Sequence, residues 1–301
     1  MEFGLVLSQF TDRWSHLEGD ALKAEECGLD SVWLADHLLS TGDPALPVFE
    51  AWTALGYVAA VTDRVRLGHL VNCVSFRNPG LLAKMAVTLD HASGGRLEIG
   101  LGAGWFGREY EAFGYEFPSP GERRAYFEEY LDALLLLLGT RGPVDYSGRY
   151  VVLDRAVCNP GALQDPHPPI VIGTGGRLMR EVTGRRADVW NCPAGLLGDV
   201  RGAREVVMEA ASGREVRTTI QVPVAVGRTR SEAEAALELA RNQLAWMGDA
   251  GEVGIVGTLD EAEAKVSWYR DQGVDGLTAV LPGSRQRPDF IEAYGELAAR
   301  F

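Results

Sequence analysis

The 301-residue sequence is poor in the residues on which secreted, metal-binding and membrane proteins depend. Its four cysteines, Cys27, Cys73, Cys158 and Cys192, are scattered and include no C-x-x-C pair, which argues against a disulfide framework and a thiolate zinc site. Only five histidines occur, and none stands in an H-E-x-x-H or related spacing, so no metal is expected. No apolar run approaches the roughly 20 residues of a membrane span; the leucine run Leu134 to Leu138 ends at Gly139. Basic residues are the minority, 29 against 42 acidic, for a formal net charge of −13. Such a chain repels nucleic-acid phosphates and anionic lipid surfaces. The opening, Glu2-Phe3-Gly4-Leu5-Val6-Leu7, is too short and lacks the basic start of a secretory leader. The expectation is a cytoplasmic protein with a small-molecule substrate and neither a nucleic-acid nor a membrane partner; a homodimer is left open.

What is plentiful is apolar residues, 46% of the chain, and glycine, with 36. Apolar runs recur in alternation with helical patterns. Strands are predicted at Phe3–Leu7, Asp30–Ala35, Val65–Val71, Arg96–Leu101, Pro169–Ile172, Ala187–Trp190, Thr218–Val226 and Gly276–Leu281. Helices are predicted at Trp14–Cys27, Glu50–Thr62, Pro79–His91, Glu122–Leu138, Leu178–Arg186, Ser231–Met247 (capped by Ser231), Thr258–Gln272 (capped by Thr258 with Glu261 three residues on) and Phe290–Phe301. Thr140–Pro169 breaks the rhythm with five prolines and one strand-like run, Arg149–Leu153. Eight strands alternating with helices suit an all-parallel sheet covered on its outside. A doubly wound nucleotide fold would carry G-x-G-x-x-G directly after the first strand, and Leu5 to Phe10 has none. The expectation is therefore one (β/α)8 TIM barrel domain over residues 1–301, with residues 140–169 as an insertion over the barrel after the fourth βα unit.

In such a barrel the carboxyl ends of the strands form one mouth, where active sites lie. That places Asp36-His37, Leu70-Val71-Asn72, Gly102 to Trp105 and Gly173 to Gly176 together. At Gly102-Ala103-Gly104-Trp105 the glycines remove side chains where a flat ligand could approach the backbone; a tight turn explains them equally well. His37 ends its strand inside the mouth, where an imidazole exchanges protons near neutrality or simply bonds its own loop. Gly173-Thr174-Gly175-Gly176 precedes a helix, so its backbone amides suit an anion or a plain turn. Arg77 either reaches an anion or caps its loop. Trp105 and Phe106 either stack on a ligand or pack. His69 lies within its strand and is expected to be a core or lining residue.

Together these segments resemble the luciferase-like monooxygenase superfamily, in particular its actinobacterial branch that uses the deazaflavin coenzyme F420. The resemblance rests on D-S-V-W-L-A-D-H (Asp30 to His37), V-R-L-G-H-L-V-N-C-V-S-F-R-N-P (Val65 to Pro79), L-L-A-K-M-A-V-T-L-D-H-A-S-G-G-R (Leu81 to Arg96), L-G-A-G-W-F (Leu101 to Phe106), H-P-P-I-V-I-G-T-G-G (His167 to Gly176) and A-D-V-W-N (Ala187 to Asn191). It implies a TIM barrel with a flat tricyclic cofactor in its mouth. It also implies a non-proline cis peptide at Leu70-Val71, within a bulge (Leu70, Val71, Asn72, Cys73) that supports the ring. Gly102, Gly104 and Trp105 would line the cofactor, Gly173, Thr174, Gly175 and Gly176 would hold its phosphate, Asp36 would contact its ring, and His37 would face the substrate.

In related sugar-phosphate dehydrogenases a tryptophan shortly after that histidine and a glutamate in the strand-four loop complete the site. This chain has Thr41 and Trp105 in those places. Oxidation of a sugar phosphate is therefore not expected. Proton transfer falls on His37, with Glu109 as the substitute acid or base. The activity implied is F420-dependent hydride transfer to or from a small organic substrate. Two alternatives stay open: an FMN-dependent monooxygenase using reduced flavin and O2, and a barrel that binds flavin without turnover.

Overall fold

The computed structural model describes residues 1–283 and 288–301. Its strands are β1 (Glu2–Val6), β2 (Ser31–Leu34), β3 (Arg66–His69), β4 (Asn72–Cys73), β5 (Leu97–Gly102), β6 (Val144–Ser147), β7 (Val152–Ala156), β8 (Ile170–Gly173), β9 (Val189–Pro193), β10 (Arg217–Gly227), β11 (Ile255–Thr258) and β12 (Gly276–Val280). The helices are α1 (Trp14–Glu26), α2 (Ala51–Val61), α3 (Pro79–Ala92), α4 (Gly107–Phe113), α5 (Pro120–Gly139), α6 (Arg177–Arg186), α7 (Val200–Ala211), α8 (Arg230–Gln243), α9 (Ala250–Val253), α10 (Leu259–Asp271) and α11 (Pro288–Ala298). Eight parallel strands close on themselves in the order β1-β2-β3-β5-β8-β9-β10-β12, with β12 returning to β1. This is the expected (β/α)8 TIM barrel. β4 and β11 add short pairings to β5 and to the far half of β10.

Strand side chains alternate between the barrel's two faces. Leu5, Val32, Leu67, Ile99, Ile172, Ile220 and Leu277 point outward and pack with Leu17, Leu55, Val58, Leu82 and Leu134 of the helices, all of them buried. Each such burial stabilises the fold by about 1.5–3 kcal/mol. The inward positions are smaller or polar. Trp33 takes the space left by Gly4 and Gly68, whose added Cβ atoms would meet its ring at 3.0 and 2.7 Å. Trp33 packs inside the barrel with Val171 and Val189, with Val6 and Leu70 against them. At the amino-terminal end, away from the mouth, a cavity of about 320 Å³ is lined by residues including Glu2, Asp30, Arg66, Glu98 and Arg217.

Several local expectations are revised. α8 is capped by Thr229 rather than Ser231, because Thr229 and Glu232 form a reciprocal capping box. It ends at Gln243, before a short 3-10 turn, Ala245–Met247. The Glu261 carboxylate does reach back to Thr258, accepting from its N–H at 2.9 Å. Helices α4 and α7 and strand β11 are absent from the sequence reading; α7 alternates its apolar positions with charge and carries a glycine, Gly202, in its first turn. Residues 140–169 contain an antiparallel hairpin, β6 with β7. Its second strand starts at Val152 because the Glu129 carboxylate of α5 holds the N–H groups of Arg149, Tyr150 and Val151 in the turn (2.7–3.1 Å). Asp90 of α3 accepts from the N–H groups of Leu163 and Gln164, and the Gln164 amide donates to the Leu97 carbonyl at the start of β5. The segment thus contacts α3, α5 and the amino-terminal end of β5. The four cysteines are free.

Candidate active site

The end of β3 sets the floor of the mouth. Leu70 N–H donates to the Leu34 carbonyl at 2.8 Å, the Leu70-Val71 peptide is cis, and β4 then pairs with Leu101 and Gly102 of β5. The resemblance had implied that cis bond. Val71 projects between two strand ends. A Cβ on Gly102 would stand 2.5 Å from one Val71 methyl, and a Cβ on Gly173 would stand 2.7 Å from the other. Both glycines are therefore required where they are by close approach rather than by turn geometry. Asn72, buried, fixes the bulge from below: its Oδ1 accepts from the Trp52 indole at 2.6 Å and its Nδ2 donates to the Gly100 carbonyl at 2.8 Å.

Asp36 and Arg77 form a second anchor. Arg77 donates twice, at 2.6 and 3.0 Å, to a carboxylate that also accepts from the Cys73 N–H at 2.8 Å. The Arg77 and Asp36 side chains are 10% and 2% exposed, so both carboxylate oxygens are engaged inside the protein. The pair ties the end of β2 to the loop after the cis peptide. Arg77, whose role the sequence left open, is thus a ligand of Asp36. His69, on the outward face of β3, stacks on Trp52 with ring centroids 4.4 Å apart, and burial pulls its pKa down to about 4.

His37 and Glu109 meet across the mouth. Glu109, in the first turn of α4, is 2% exposed. Its carboxylate accepts from Leu38 N–H at 2.5 Å, Leu39 N–H at 2.9 Å and His37 Nδ1 at 3.1 Å. An ionised carboxylate only accepts, so Nδ1 carries the proton and Nε2 is the nitrogen left to exchange. Gly104, at φ +81°, lies against the buried Tyr110, whose hydroxyl would overlap any Cβ there. That hydroxyl is 2.8 Å from Cys73 Sγ, and burial pushes the Cys73 thiol up to about 11. Trp105 projects from this turn, 61% exposed.

Gly173, Gly175 and Gly176, at the end of β8, open the opposite rim. Thr174 N–H donates to the Asn191 carbonyl, the Thr174 carbonyl accepts from the Trp190 indole at 2.9 Å, and the Gly175 carbonyl accepts from Arg180 at 2.6 Å. With those carbonyls held by protein donors, Gly176 caps α6 and an added Cβ there would meet only Thr174 Oγ1, at 4.0 Å. The first-turn amides of α6 have no intrahelical acceptor, as at any helix start, and this polarity suits an anion. Sequence reasoning missed Trp52, Trp190 and Arg180 in these supports. Trp52 and Trp190 act through one hydrogen bond each to groups 20 and 16 residues away, and Arg180 reaches back five residues to the Gly175 carbonyl; none of these side chains stands in a recognisable motif for that role. No group of His, Cys, Asp and Glu among the described residues could hold a metal ion.

The closed eight-stranded parallel barrel defines the fold class of the protein. The luciferase-like monooxygenase family model matches residues 1–286, and the chain belongs to that family. It is an enzyme of this family by its relatives. One is the F420-dependent glucose-6-phosphate dehydrogenase of Amycolatopsis mediterranei, 29% identical over 311 residues that cover 92% of this chain and 91% of that protein. Another is a phthiodiolone/phenolphthiodiolone dimycocerosates ketoreductase of Mycobacterium bovis, 32% identical over 254 residues, 75% of this chain and 65% of that protein. Among solved structures, an F420-dependent secondary alcohol dehydrogenase in complex with an F420-acetone adduct superposes with a TM-score of 0.84 at 19% identity, covering 98% of this chain and 97% of that one. No helix among the described residues is long and apolar enough to cross a membrane.

Proposed function

We propose that this chain is a coenzyme F420-dependent oxidoreductase that transfers a hydride between the deazaflavin and a small organic substrate, with His37 as the proton donor or acceptor. The observation that carries this reading is the His37–Glu109 pair, a histidine of defined tautomer at the mouth of a barrel whose named relatives include an F420-dependent dehydrogenase. The residues present fit such a cofactor. The Val71 bulge, seated between Gly102 and Gly173, offers a raised backbone surface for a flat ring, and Gly175 with the start of α6 offers amides to its phosphate, the Thr174 and Gly176 N–H groups being bonded to the Asn191 carbonyl and to Thr174 Oγ1. A bound deazaflavin would supply or accept the hydride, because it has carbon where a flavin has its oxygen-reactive nitrogen.

The chain's own part is the proton and the geometry. Nε2 of His37 gives a proton to the substrate oxygen as a carbonyl becomes a hydroxyl, or takes it in the reverse direction. Glu109 holds the ring's tautomer and stabilises it when it becomes an imidazolium. Asp36 acts at one remove, fixing the Cys73 amide and with it the bulge.

The test is a titration of purified protein with oxidised F420 and, separately, with FMN, read by cofactor fluorescence. Saturable F420 binding is the expected result. Tight FMN binding with no F420 binding would move the assignment to the flavin-dependent monooxygenase reaction, and failure to bind either would overturn a catalytic role.

A further inference from the structure

Besides Glu109, two aromatic side chains face His37. The Trp105 ring centroid lies 6.0 Å from the imidazole, edge-on at 88°, and that of Phe106 lies 6.2 Å away at 80°. The two rings are 5.4 Å apart. Trp105 has most of its surface in water, 61% exposed, and with Phe106 beside it presents a contiguous aromatic face next to His37.

Its presentation is built into the turn. Gly104 takes φ +81° beneath the Tyr110 hydroxyl, and Tyr110 is itself buried and held at Cys73 Sγ. Gly107 N–H then closes on the Trp105 carbonyl at 3.2 Å and Glu109 N–H on the Phe106 carbonyl at 3.0 Å. Two charged clusters nearby are bonded within the protein, while Arg108 of α4 stays exposed. Glu109 is buried against His37 and two amides, and Asp36 and Arg77 are paired with each other.

Resting on the F420 reading above, we infer that the substrate is a bulky apolar ketone or its secondary alcohol, whose flat face packs on Trp105, in preference to a phosphorylated sugar. In the reducing direction a bound reduced deazaflavin would supply the hydride that the carbonyl carbon takes, and His37 would give its proton to the oxygen. The C=O double bond would become a C–OH single bond, with the two electrons coming from the deazaflavin, which would be left oxidised. Trp105 and Phe106 cover the reacting carbon, excluding water, and offer apolar area in place of hydrogen bonds. On this assignment Trp105 belongs to the substrate and not to the cofactor.

Calorimetry with 2-acetylnaphthalene and with glucose 6-phosphate tests this, using the parent protein and the Trp105→Ala and Trp105→Phe variants, each also titrated with F420. The aryl ketone should bind the parent and the sugar phosphate should not. Trp105→Ala should weaken the ketone by about tenfold, Trp105→Phe should restore most of the loss, and F420 affinity should stay within about twofold. Tighter binding of the sugar phosphate would overturn the inference, as would ketone affinity indifferent to Trp105. A loss of F420 affinity in Trp105→Ala as large as the loss for the ketone would also overturn it, returning Trp105 to the cofactor. Trp105-dependent ketone binding by a protein that does not bind F420 would support the apolar substrate and overturn the cofactor reading alone.

Discussion

His37 and Glu109 lie 72 positions apart in the chain and meet at 3.1 Å, Nδ1 against a carboxylate that is 2% exposed. The same carboxylate gathers the N–H groups of Leu38 and Leu39, so one buried charge orients the imidazole and fixes the loop that follows it. An accepting partner on Nδ1 leaves only one tautomer for the neutral ring.

Replacing His37 by alanine should leave F420 affinity nearly unchanged, because the Val71 bulge and the amides of Gly175 and the start of α6 lie on other elements. Turnover should drop by about 10²–10⁴. His37→Gln should be almost as slow, since an amide bonds but does not titrate near neutrality. Steady-state kinetics at saturating cofactor decide this; parental turnover in His37→Gln would reduce His37 to a positioning residue.

Glu109→Gln separates orientation from folding. The glutamine amide can turn a donor toward Nδ1 and so favour the wrong tautomer, which should lower kcat by roughly 10²–10⁴ with little change in Tm. Glu109→Ala leaves two loop amides without their acceptor and should in addition destabilise the protein by about 2–4 kcal/mol. An unaltered pH–rate profile in Glu109→Gln would show that the carboxylate only holds the loop.

The Asp36–Arg77 pair is buried, so removing one partner strands a charge. Arg77→Met should cost about 3–5 kcal/mol in urea unfolding, and the double variant with Asp36→Asn should cost much less than the sum of the two single losses. Additive losses would mean that the pair is not coupled and that Asp36 serves the Cys73 amide alone.

His69 links stability to acidity. In the folded protein its pKa is about 4 against the ordinary 6.5, because burial disfavours the imidazolium. Between those values the unfolded chain binds the proton and the folded chain does not. Stability from this residue is therefore complete above about pH 6.5 and is lost as the pH falls toward 4, by at most about 3 kcal/mol. His69→Phe keeps a ring on Trp52 but has nothing to titrate. Its stability should fall less than the parent's over that window, as measured by chemical denaturation at pH 7, 6, 5 and 4; parallel curves would contradict the burial argument.

The amino-acid sequence by itself determined the barrel and the identity of its mouth. The alternation of apolar runs with helical periods is a local property, and each strand end carries its own residues with it, so Asp36-His37, Gly102 to Trp105 and Gly173 to Gly176 were legible as they stood. Closure through β12 to β1, which distinguishes a barrel from an open sheet, lies in the pairing and not in any one strand. The tertiary structure decided the partners. Whether Arg77 faces an anion or Asp36, whether Glu109 reaches His37, and whether Trp105 packs or stands in water depend on loop paths that bring together groups some 40 to 70 residues apart. Gly102 and Gly173 make the same point: each looks like a turn residue in its own segment, and only the arrival of Val71 from a third strand gives the reason that neither can carry a side chain.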